Sequence, residues 1–145
     1  MLVTAEGTTT IRYRVTDTVG NASGIYTAIV QIDDSAPESA DDAPSGWVNT
    51  PVTVHLAATD TLSGLAGVLY SLDGSDPATT YAGSIAISAE GTTTLKYKSY
   101  DTVGNTSTVV TRYVQIDDTA AVHRQVSDPE AMPLLQVPAR VQYGV

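Results

Sequence analysis

The stretch EGTTTIRYRVTDTVGN at residues 6–21 returns as EGTTTLKYKSYDTVGN at residues 90–105. Positions 6 and 90 are 84 residues apart, and the same offset turns Gln31-Ile-Asp-Asp34 into Gln115-Ile-Asp-Asp118. An offset held this long is an internal repeat, and it requires the chain to build one local structure twice. The copies differ by swaps that keep side-chain character: Ile11 for Leu95, Arg12 for Lys96, Arg14 for Lys98. The period divides the 145 residues into three parts. Residues 1–33 read as the closing hairpin of one repeat, 34–118 as a complete repeat, and 119–145 as an irregular tail. The first copy begins in mid-period, so the expectation is a fragment of a longer array, with any export signal upstream.

Within each copy the apolar residues alternate. Ile11, Tyr13 and Val15 share one face, and Arg12 and Arg14 the other, which is the period of a half-buried strand. Asp17-Thr-Val-Gly-Asn21 interrupts the alternation with residues suited to a turn. A second strand is expected over about 24–32, rich in β-branched residues. Residues 33–46, DDSAPESADDAPSG, are linker-like in composition. Beyond them Val52, Val54, Leu56 and Ala58 point one way, and Thr53, His55 and Thr59 the other. Val68, Tyr70 and Leu72 form the next inward row, and Asp73-Gly74 centres a turn. A short strand follows near 84–88, and then the hairpin returns at 92–100 and 107–116. No segment carries helical periodicity. Six or seven short strands with turn signals every eight to twelve residues indicate an all-β, antiparallel Ig-like sandwich. Tyr97 is placed inward, where it could serve as a tyrosine-corner analogue.

Four motifs stand in order: Val68-Leu-Tyr-Ser-Leu-Asp-Gly-Ser-Asp-Pro77, Tyr81-Ala-Gly-Ser-Ile85, Thr92-Thr-Thr-Leu-Lys-Tyr97 and Asp101-Thr-Val-Gly-Asn105-Thr-Ser107. This series resembles the chitobiase/β-hexosaminidase C-terminal-type repeat. It is also similar to bacterial Ig-like repeats of surface proteins, in which a stretch like Gly46-Trp-Val-Asn-Thr-Pro-Val-Thr-Val54 opens the module. The resemblance covers roughly residues 1–120 and implies an Ig- or fibronectin-III-like sandwich without catalytic residues. Such modules occur in extracellular proteins, as spacers or as accessory domains beside glycoside hydrolases.

The residues themselves exclude several functions. A net charge of −9 repels phosphate backbones and argues against nucleic acid. No apolar run is long enough to span a membrane. No cysteine is present, so there is neither a disulfide framework nor a thiol nucleophile. Neither a zinc-protease, serine-hydrolase nor phosphate-loop motif occurs, and the acids cluster in turns and linkers rather than as a facing pair. The histidines are His55, outward on a strand, and His123.

Two groups of residues remain as candidate sites. Asp33, Asp34, Asp41 and Asp42 bracket the linker and could supply hard oxygen ligands to Ca²⁺; the simpler reading is that they solvate the linker and deter edge pairing. Trp47, Tyr81 and Tyr100 are candidates for sugar stacking, although Trp47, at the start of a strand, also suits a core-edge anchor. Apart from Ca²⁺, no cofactor is expected. The sequon-like Asn21-Ala-Ser23 and Asn105-Thr-Ser107 fall in the turn motif and serve turn geometry. The expected function is that of a non-catalytic spacer repeat of a bacterial extracellular or cell-surface, adhesin-like protein, with neighbouring repeats as partners. The alternative is a carbohydrate-binding accessory module of a secreted hydrolase, whose partner would be a polysaccharide or cell-surface ligand.

Overall fold

The computed structural model describes residues 1–122. His123 and most of the segment expected to be irregular, 119–145, lie outside the described residues. Eleven strands and no helix are present among them. The hairpin comes first: β1 (Gly7–Tyr13) pairs antiparallel with β2 (Tyr26–Ile32), and the two form a sheet of their own. Nine strands follow: β3 (Glu38–Asp41), β4 (Trp47–Val48), β5 (Val52–Val54), β6 (Leu56–Thr59), β7 (Leu65–Ser71), β8 (Thr79–Thr80), β9 (Ile85–Ile87), β10 (Gly91–Asp101) and β11 (Val110–Ile116).

These nine strands make two layers. One is a five-stranded sheet in the order β4-β11-β10-β7-β8, antiparallel except for the parallel β4–β11 pair. In the other, β5 and β6 are successive halves of one strand broken at His55. The first half pairs with β9 and the second with β3. This is the sandwich that the turn spacing implies, with more strands than the six or seven expected. The excess comes from the break at His55 and from two-residue strands too short to show a period.

The alternation along each strand fills the space between the layers. Val54 and Leu56 from one layer, with Ile85 and Ile87 beside them, meet Val68, Leu95, Tyr97, Val114 and Ile116 from the other, and all nine are buried. Each fully buried large aliphatic side chain of this kind stabilises by roughly 1.5–3 kcal/mol relative to exposure. Leu72 does not join this core; it is 37% exposed. Strand β7 ends at Ser71, which is buried and donates its Oγ to the carbonyl of Ser75 at 2.7 Å. That bond starts the turn one residue earlier than the alternation implies.

The repeat is reproduced in register. In β1–β2 the pairing runs from Gly7↔Ile32 to Tyr13↔Tyr26, and in β10–β11 from Gly91↔Ile116 to Tyr97↔Val110. The connecting turns match as well. Asp101 Oδ1 accepts the amide of Asn105 at 2.8 Å and Oδ2 accepts Asn105 Nδ2 at 2.7 Å; Asp17 and Asn21 make the same two bonds at 2.8 and 2.7 Å. The glycine of each turn sits at positive φ, 99° at Gly20 and 101° at Gly104, a region that side chains with a Cβ avoid.

Candidate functional site

Two regions stand out: the joint between the hairpin and the sandwich, and the outer face of the five-stranded sheet. At the joint the chain leaves β2 through Asp33, which is fixed from both sides. Ser63 donates its amide to Asp33 Oδ2 at 2.8 Å, and Asn105 donates Nδ2 to the Asp33 carbonyl at 2.9 Å. Thr102 Oγ1 donates to the Ser63 carbonyl at 2.8 Å, tying the two contacting loops together. On the hairpin side, Glu6 Oε1 accepts the Ser35 hydroxyl at 2.5 Å.

Asp33, Asp60 and Asp101 bring carboxylate oxygens within 4.8 Å of one another here. Each acid already organises backbone amides. Asp60 Oδ1 accepts from Leu62 and Gly64, and Asp101 Oδ1 from Val103, Gly104 and Asn105. Burial alone would raise the Asp101 carboxyl, but the Asn105 side chain and the turn amides outweigh it and hold its pKa below the ordinary value. A glycosidase acid–base pair needs one carboxyl held protonated beside a sugar cleft. Asp101, 2% exposed and with its pKa held low, is not that protonated carboxyl.

Of the four acids singled out for calcium, only Asp33 belongs to this trio. Asp34 is exposed, and its amide donates to Glu6. Asp41 turns into the sandwich, where Oδ2 accepts the Tyr97 hydroxyl at 2.5 Å and Arg112 Nε at 2.8 Å. Asp42 accepts the His55 amide at 2.6 Å and lies 2.8 Å from His55 Nδ1. Asp60 and Asp101 are turn formers that also meet across space. Their meeting depends on the packing of two loops 41 residues apart, positions 60 and 101, and no spacing pattern announces it. Tyr97 spans from the penultimate strand to β3 through Asp41, a tether between the two sheets rather than a tyrosine corner. Burial, and then the Asp41 carboxylate, raise its pKa above the ordinary phenol value.

The aromatic candidates separate. Tyr81 is half-buried against the core, and its hydroxyl accepts the Leu56 amide at 3.0 Å. Tyr100 lies on the outer face of the sheet, over Gly67, where a Cβ would sit 2.8 Å from the Tyr100 hydroxyl oxygen. Trp47 does not anchor the core: it is 60% exposed. Its strand pairs Trp47 with Gln115 and Val48 with Ile116, and since Ile116 is inward, Val48 fills the core and Trp47 faces out. Tyr113, two residues from Gln115 along β11, shares that outer face and is 62% exposed. Alternation against the buried Val114 and Ile116 was the signal for Tyr113. The structure therefore places two exposed aromatics, Trp47 and Tyr113, on one face of adjacent strands. Tyr100 stands six residues along β10 from Thr94, the partner of Tyr113, which is about 20 Å at strand rise.

Among the described residues, no helix is long and apolar enough to cross a membrane. No curated protein matches the chain significantly. A family model does match, over residues 43–111, which run from the end of β3 through the strands of both layers into β11. On that match, residues 43–111 are similar to the chitobiase/beta-hexosaminidase C-terminal domain, and the two-layered all-β architecture in which they lie is Ig-like.

Proposed function

We propose that the chain is a non-catalytic structural repeat that sets spacing and orientation in a bacterial extracellular or cell-surface protein. The observation that supports this most is the joint. Asp33 is held by two loops of the following module, so hairpin and sandwich are coupled through hydrogen bonds and not only through a flexible linker. The exit from the sandwich is shaped like the exit from the hairpin. Asp117 Oδ1 accepts the Thr119 amide as Asp33 Oδ1 accepts that of Ser35, and Glu90 binds the Thr119 hydroxyl as Glu6 binds that of Ser35. A unit whose exit repeats its entry geometry suits propagation along an array. The matched family is an accessory domain type, and Asp101 at the joint is buried and spends its oxygens on turn amides, which supports a non-catalytic role.

The absence of cysteine makes a direct test simple. Spin labels at Thr27→Cys and Thr53→Cys, both exposed positions, report the distance across the joint. A single narrow distribution that broadens in Asp33→Ala is expected. A broad distribution in the otherwise unchanged chain would sink the spacer reading.

Trp47 and Tyr113 favour a second reading, a carbohydrate-binding accessory module of a secreted glycoside hydrolase. Exposed aromatic faces on one sheet can stack on pyranose rings, and an exposed patch of this kind calls for an occupant. Retention on insoluble polysaccharides, lost in Trp47→Ala and in Tyr113→Ala with the melting temperature unchanged, supports it. Equal retention of the parent chain and both variants counts against it.

A further inference from the structure

The two hairpins are the same structure in different surroundings. In the second, Leu95, Tyr97, Val114 and Ile116 are buried beneath Val54, Leu56, Ile85 and Ile87. In the first, the residues in the same register are Ile11, Tyr13, Val30 and Ile32, and among the described residues no second layer covers them. Tyr13 is 52% exposed and stacks on Tyr26 with ring centroids 5.5 Å apart. An apolar sheet face with free strand edges beside it is an invitation to a partner.

We infer that this face docks the front part of another module of the repeat, a layer built like β3, β5 and β6, with residues 1–3 standing in the place of β9. The second copy shows the occupant directly, because the same row of positions in the same register is covered there by that layer. The inference rests on the spacer reading, since it makes module completion the recognition event. The substitutions along the row specify the partner further. Tyr26 stands where Val110 does, and Val15 where Ser99 does. The facing layer must therefore leave more room than residues 34–89 leave over their own hairpin. Ala28 stands where Arg112 does, so an acid placed like Asp41 would be held by the Tyr13 hydroxyl without an arginine.

The test joins a second copy of residues 34–84 ahead of Met1 of the full chain, which places the copied segment 84 residues ahead of the original, the same offset as that of positions 6 and 90. A second form also carries Val15→Ser, Tyr26→Val and Ala28→Arg, making the first hairpin a near copy of the second. Amide exchange at Thr10–Tyr13 is compared with that in the unextended chain. Slowing by at least about tenfold is expected, greater in the triply substituted form and lost when Ile11→Asp is added, with exchange at Thr94–Tyr97 unchanged. Exchange at Thr10–Tyr13 as fast in both extended forms as in the unextended chain overturns the inference. So does slowing that survives Ile11→Asp. Spin-label distances across the joint do not depend on whether the face is covered, so failure here and failure of the spacer reading are separable.

Discussion

Replacing Tyr97 with Phe tests how much of the sandwich depends on a single polar tether. Tyr97 is almost fully buried, and its hydroxyl donates to Asp41 at 2.5 Å. The ring remains in Tyr97→Phe, so no large cavity opens. What is lost is one hydrogen bond to a charged group, worth roughly 1.5–3 kcal/mol. Asp41 is not orphaned, because Arg112 Nε and the Ala43 amide still donate to it. The expected loss at neutral pH is therefore about 2 kcal/mol, or roughly 8–16 °C in melting temperature for a domain of this size. The loss must also depend on pH. Burial would raise the Asp41 carboxyl, but the bonds from Tyr97 and Arg112 outweigh it and hold its pKa below the ordinary value. A depressed carboxyl contributes stability above its unfolded pKa, near 3.9, and loses it as pH falls toward the folded value. Without the hydroxyl the folded pKa rises, so the gap between parent and variant is full at pH 7 and narrows below about pH 4. At the alkaline end the sign reverses. The raised Tyr97 pKa gives stability that is complete below the unfolded value near 10 and declines above it, and the variant lacks that decline. Urea unfolding followed by far-UV circular dichroism at pH 3, 7 and 10.5 measures all three. A loss under 0.5 kcal/mol at pH 7, or a gap as large at pH 3 as at pH 7, would refute the reasoning.

Three further outcomes are expected. Gly67→Ala places a Cβ 2.8 Å from the Tyr100 hydroxyl oxygen; because the obstructing atom is the tip of a side chain, the cost is about 1 kcal/mol, and thermal melts should show it abolished when Tyr100→Ala is added. Asp101→Ala removes a buried acceptor for three turn amides, whereas Asp17→Ala removes the same group from an exposed position; the first should lower the melting temperature of the sandwich several-fold more than the second. Trp47→Ala should change unfolding stability by less than about 0.5 kcal/mol, because the side chain is mostly solvated, and a larger loss by urea titration would show that β4 depends on it.

The repeat separates what the sequence by itself determined from what only tertiary structure decided. Strand direction, hairpin register and the Asp–Asn bonds of the turn are the same in both copies, although among the described residues one copy is sandwiched and the other is not. These features follow from neighbours close in sequence: alternation selects the strand, Asp17 or Asp101 satisfies the turn amides, and the glycine that follows supplies positive φ. The sandwich was legible for the same reason, because only two facing layers bury rows such as Val52–Ala58 and Leu95–Ser99. The environment of each residue was not legible. Tyr13 and Tyr97 occupy equivalent positions, yet one is half in water and the other sealed. Trp47 looked like an anchor until the parallel pairing of a two-residue strand turned it outward, and a strand that short has no period to read. The acids near the linker read as one group. Packing sent Asp41 to Tyr97 and Asp42 to His55, and brought Asp33 to Asp60 and Asp101 instead. Side chains from strands and loops far apart in sequence meet only when the layers close, and hydrogen bonds formed on closing have no local pattern to announce them.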